Sequence, residues 1–125
     1  MAAMDILGGL YTGTSGKQHS FVAFVTDFLP KTYPAGRLWK LRCAVLHNYQ
    51  LTADVMFVLA PQLADRHLTV VNELGPGGLL IHGARLTDDV DSAAEHLILR
   101  ARQDPEVANR LIRHARRHLL MMGGI

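Results

Sequence analysis

The sequence predicts an α+β domain, mainly helical, in which residues 1–125 form one unit. Three observations predict it. Apolar residues recur at spacings of three and four through most of the chain, the period of a helix with one buried face. Between residues 55 and 81 that spacing gives way to short runs rich in Val, Leu and Thr, broken by Pro61 and Gly75-Pro76-Gly77-Gly78. Runs of that kind predict a small antiparallel β-meander. Apolar residues make up 49% of the chain and charged residues 19%, enough for a core that needs neither disulfide nor metal.

Residues 2–10 are apolar up to Gly8-Gly9 and predict a short helix or turn, followed by a loop over 11–16. From Gln18, the residues Phe21, Val22, Phe24, Val25, Phe28 and Leu29 recur at helical spacing until Pro30 and Pro34. A second amphipathic helix is predicted from Gly36 to about Tyr49, with Leu38, Leu41, Val45, Leu46 and Tyr49 on one stripe and Trp39 and Cys43 on its flank. Strands are predicted over 55–59, 68–72 and 79–81. Thr87 is placed to cap a helix with Asp88 and Asp89 in its first turn, and Val90, Ala93, Ala94, Leu97, Ile98 and Ala101 on its inner face. Asp104-Pro105-Glu106 predicts the start of a last helix: a capping carboxylate, Pro at the first position, then an acid. Its buried stripe is expected to be Val107, Leu111, Ile112, Ala115, Leu119 and Met122, with Gly123-Gly124 as its end.

Several function classes fall away on composition. The longest apolar runs, such as residues 55–60, are far shorter than the ~20 residues that span a bilayer. No basic segment followed by an apolar run opens the sequence, and Cys43 is alone, so the expected compartment is a reducing one, the cytoplasm. The net charge of +2 is unevenly spread. Acids crowd residues 87–106, whereas residues 107–122 hold Arg110, Arg113, Arg116 and Arg117 and no acid. Such asymmetry can create a local anion-attracting surface, with Arg113, Arg116 and Arg117 as candidate substrate-binding residues, and it is equally the pattern of a solvated helix face, the more common case.

The segment Leu38-Trp39-Lys40-Leu41-Arg42-Cys43-Ala44-Val45-Leu46-His47 carries an Arg-x-x-x-x-His pattern on a predicted helix, after a Phe-rich helix that ends in Leu29-Pro30. This resembles the HEPN superfamily (higher eukaryotes and prokaryotes nucleotide-binding domains), in particular a bacterial HEPN-like group of undefined role. The resemblance implies a HEPN-like helical core followed by the β-meander and two C-terminal helices. It also implies a homodimer with Arg42 and His47 of both subunits in one site. The activity it implies is metal-independent RNA cleavage, with attack by a 2′-hydroxyl on the adjacent phosphodiester. His47 would move protons and Arg42 would hold the phosphate. Relatives often carry Asn or Asp immediately after the Arg, where this chain has Cys43. Other members of the superfamily are dimerisation or binding modules, so the alternative is a non-catalytic dimerisation or protein-interaction module that uses the same helix as its interface; RNA, an antitoxin or another protein are the partners the resemblance allows.

Arg42 and His47 lie about 140° apart around an ideal helix. An ion pair between Arg42 and an acid such as Asp27, with His47 at a helix end, is the plain structural reading. Of the remaining histidines only His114 and His118 have i,i+4 spacing, and the arginines beside them disfavour a cation. No metal and no cofactor are expected. Gly13-Thr14-Ser15-Gly16-Lys17 is rich in phosphate-loop residues, but Tyr11 stands where the nucleotide-binding pattern needs Gly and Gln18 where it needs a hydroxyl. That excludes a nucleoside triphosphatase of the P-loop kind. Ser15 and Ser20 have no nucleophile-elbow context.

Overall fold

The computed structural model describes the backbone of residues 1–14, 16–48 and 52–121, and the side chains among them except those of 48 and 118–121. Among the described residues, five α-helices and two strands follow one another as α1 (Ala2–Thr12), α2 (Gln18–Phe28), α3 (Ala35–Asn48), β1 (Val55–Val58), β2 (Leu79–His82), α4 (Gly83–Gln103) and α5 (Pro105–Met121). The mainly helical α+β class is as the sequence predicts. Predicted features at Ser15, Tyr49, Met122 and Gly123-Gly124 lie outside the described residues.

Helix α2 is the centre of the core. Phe21 and Phe24 are fully buried, and Val25 and Phe28 nearly so, because the helical period sets all four on one face. Met4 of α1, Leu38 and Leu41 of α3, Ile81 of β2, Ala93 and Leu97 of α4 and Val107 of α5 close around them. Helix α1 does not stop at Gly8-Gly9. It runs on to Gly13, whose φ of 85° ends it with a backbone bond to the Gly9 carbonyl. Gly8 instead lets α1 meet α2: a Cβ there would lie 2.7 Å from the Ser20 carbonyl oxygen.

The sheet departs from the predicted meander. Strands β1 and β2 are parallel, in register Val55↔Leu79 to Val58↔His82, and joined by a crossover over residues 59–78. That crossover contains 3₁₀ turns at Pro61–Arg66 and Asn72–Leu74 rather than an α-helix. Only the second predicted turn survives. Val70 forms an antiparallel bridge to Leu79 on the other edge of β2, around Gly75-Pro76-Gly77-Gly78. Strand β2 is thus the middle element, and all four of its residues are buried.

The C-terminal pair is a helical hairpin. Asp104 caps α5 as predicted, its Oδ1 accepting the Glu106 N–H at 3.0 Å. Helix α4 starts a turn earlier than the sequence suggests. His82 is its cap, accepting the Arg85 N–H on Nδ1, while Thr87 donates to the Gly83 carbonyl within the helix. Ile98 and Ile112, expected inside, keep 53% and 51% of their surface exposed.

Candidate functional site

The Arg-x-x-x-x-His helix is α3, and it separates the two residues. Arg42 shares the inward stripe of Leu38 and Leu41 and is 9% exposed. Its Nη2 donates to Asp5 Oδ2 of α1 at 2.7 Å, and its guanidinium lies 4.7 Å from the centre of the Trp39 ring. His47 is exposed near the end of the helix. Arg42 is therefore committed to an internal ion pair that ties α3 to α1, with Asp5 rather than Asp27 as its partner. The predicted pairing of a phosphate-holding Arg with a proton-moving His is not assembled within one chain. Asp27 instead accepts the Tyr11 hydroxyl at 2.6 Å.

Helix α5 holds the other predicted residues. Arg113, Arg116 and Arg117 are exposed, and the strong amphipathy of α5 is the cause: Val107 and Leu111 turn toward the core and the arginines away from it. The three flank a surface cavity of about 430 Å³ together with Asn109 and Ile112. Among the described residues no carboxylate comes within 4.0 Å of any of the three. The acids of α4 leave them unneutralised.

A second cavity, of about 270 Å³, adjoins Arg113 and Arg117 and reaches the turn after α1. Arg110 and His114 complete its α5 wall, and Thr12, Gly13 and Thr14 form the other side. Arg110 Nε donates to the Tyr11 carbonyl at 2.8 Å, so a cation answers the carbonyl end of α1. Arg110 and His114 were missed as site residues by the sequence reading. The signal was present, because Arg110, Arg113, His114 and Arg117 stand at i, i+3, i+4 and i+7 and share ~100° of helix arc. Arg116 sits ~60° outside that arc.

A part-buried polar network lies elsewhere. Tyr33 donates to Asp89 Oδ2 at 2.7 Å, and its oxygen is 2.7 Å from His67 Nε2. His67 Nδ1 accepts the His82 N–H at 3.0 Å. Burial raises the Tyr33 hydroxyl well above its ordinary range, and the Asp89 carboxylate adds to that. Burial likewise lowers the His67 imidazole. With the Tyr33 hydroxyl and both His67 ring nitrogens engaged, the cluster fastens the crossover to α4.

Among the described residues no three His, Cys, Asp or Glu side chains gather as a metal site, and no helix is long and apolar enough to cross a membrane. Comparison with protein-family models, curated proteins and solved structures gives no match. The likeness to HEPN proteins thus rests on the residues of α2 and α3 alone.

Proposed function

We propose that this chain is a domain that contacts RNA or nucleotide phosphate through the basic face of α5, and that it binds without cutting. The observation that supports the reading is the exposure of Arg113, Arg116 and Arg117 around one surface cavity, with no acid in ion-pair range among the described residues. Unpaired arginines on one face are the electrostatic footprint of phosphate contact, because the guanidinium fork matches phosphate oxygens. The cytoplasm is the proposed compartment, where Cys43 stays reduced. Ribonuclease action by Arg42 and His47 has less support, since the guanidinium would have to leave Asp5 to reach a substrate.

Fluorescence anisotropy with labelled single-stranded RNA in EDTA tests the proposal. Three phosphate contacts give a slope of log affinity against log salt of about −2, at ~0.7 per contact on single strands. The variant Arg113→Gln/Arg116→Gln/Arg117→Gln is expected to flatten that slope and lose tenfold or more of the affinity, an approximate figure for three contacts. RNA binding that is unchanged in this variant sinks the reading. Cyclic-phosphate ends made by wild type and not by His47→Ala would return the function to α3.

A protein interface is the second reading. Ile98 and Leu99 of α4 and Ile112 of α5 are at least half exposed, an apolar surface on the C-terminal hairpin. A second copy of the chain, an antitoxin or another protein would cover it. Light scattering on wild type and Ile112→Asp checks the homodimer: a wild-type monomer at micromolar concentration excludes it there.

A further inference from the structure

We infer that the smaller cavity, between the α1 turn and α5, is a site for a phosphate monoester: the terminal phosphate of an RNA strand or the phosphate of a free mononucleotide. The inference rests on the proposed phosphate-contacting role of α5 and gives that face a defined ligand group. Two sequence features that had seemed unrelated meet at this cavity. One is the end of α1 and the turn after it, Thr12, Gly13 and Thr14, where the Thr12 hydroxyl is taken up by the Gly8 carbonyl and Ser20, and the other is the arginine stripe of α5, which supplies the free donors. Gly13 sits in the left-handed region with its α-carbon face toward the Arg110 side chain, about 3.8 Å away from where a Cβ would stand. The turn and the stripe are therefore held against one another by the fold.

Charge and size select the ligand. Arg110 already answers the carbonyl end of α1, through its bond to Tyr11, and lies 4.0 Å from Glu106. Arg113 and Arg117 remain as two full cations on one wall, with the His114 ring beside them. An internal phosphodiester brings one negative charge, whereas a monoester brings about −1.5 to −2 near neutral pH. The monoester is the better match to two free guanidinia. The volume of about 270 Å³ lies below the ~300–1,000 Å³ of pockets that enclose a drug-sized molecule. It suits a phosphate head, with the rest of the nucleotide or strand lying outward. The adjoining larger cavity, bordered by the same Arg113 and Arg117 and by Arg116, provides a surface for that continuation.

The test compares RNAs of one sequence that end in a 5′-phosphate, a 3′-phosphate or only hydroxyls, by anisotropy, with adenosine 5′-monophosphate and adenosine measured by calorimetry. Wild type is expected to prefer one phosphorylated end by roughly tenfold, the ratio that one added charge-assisted hydrogen bond gives. Arg116→Gln is expected to weaken all three RNAs alike and keep the ratio. His114→Gln/Arg117→Gln, with its fold checked by circular dichroism, is expected to bring the ratio close to one. Equal wild-type affinity for all three RNAs, and for the monophosphate and adenosine, overturns the inference. If salt-sensitive RNA binding persists in that case, the α5 reading stands without it. Binding of the monophosphate over adenosine, with no RNA bound at all, keeps the monoester site, assigns it to free nucleotides and removes the RNA reading. The wild-type ratios decide the matter even if the double variant does not fold.

Discussion

Arg42 and Asp5 meet at 2.7 Å with 10% and 19% of their side chains exposed, and the Arg42 Nε, also buried, has no hydrogen-bond partner among the described residues. An ion pair this enclosed gains little net stability over apolar residues of the same shape, yet removal of one partner strands the other charge. Asp5→Ala is therefore expected to cost about 3 kcal/mol, toward the lower end for a buried pair because Asp5 retains some water. Urea unfolding measures it. Adding Arg42→Met to that variant is expected to recover most of the loss, because the stranded charge goes with it. RNA affinity is expected to be unchanged in both. A loss of RNA affinity in either, with a stability change near zero, would show Arg42 to be a ligand residue after all. Nothing local in the sequence marks this role. The motif spacing of α3 was legible, whereas its partner lies 37 residues earlier in another helix, a contact that only packing establishes.

At the scale of elements, the helices were legible because amphipathic periodicity and capping act locally. The residues Phe21, Phe24, Val25 and Phe28 and the Asp104-Pro105 start fixed α2 and α5 within a residue or two. The sheet was not. Short apolar runs fit parallel and antiparallel pairing alike, and the long crossover needed by a parallel pair was itself read as a strand over 68–72. The continuous burial of Leu79, Leu80 and Ile81 was the available sign that β2 lies in the middle. What holds the crossover in place is titratable. The His82 N–H donates to His67 Nδ1, which requires an unprotonated ring nitrogen, and burial lowers the His67 imidazole below its ordinary 6.5. The unfolded chain then takes up the proton first as the pH falls. The stability contributed by His67 is complete above about 6.5 and lost as the pH drops through its lower folded value. Melting temperature is expected to fall below pH 6.5, and His67→Asn, whose amide oxygen can accept the same N–H, is expected to flatten that part of the profile. An unaltered slope in the variant would assign the acid sensitivity to other groups.

Over the whole molecule, charge is sorted rather than balanced. Helix α4 carries Asp88, Asp89, Asp91 and Glu95 beside Arg85, Arg100 and Arg102, whereas the C-terminal half of α5 carries arginines and no acid, and the net charge of +2 hides the difference. The helical hairpin keeps the two sets on neighbouring elements without pairing Arg113, Arg116 or Arg117 among the described residues. The helix with the recognisable motif, α3, uses the arginine of that motif to hold α1, whereas Arg113 and Arg117 of α5 border a cavity against the turn that ends α1. The sequence displayed the arginines, but the meeting of that turn with the i, i+3, i+4, i+7 stripe depends on how α1 and α5 pack, through Arg110 and Tyr11. Ligand is expected to bind at α5. Titration of isotope-labelled protein with single-stranded RNA, followed by amide chemical shifts, tests it most directly. Shifts are expected to concentrate at residues 109–117 and 12–14, with the amides of 42–47 little changed. Shifts centred on 42–47, with α5 silent, would contradict it.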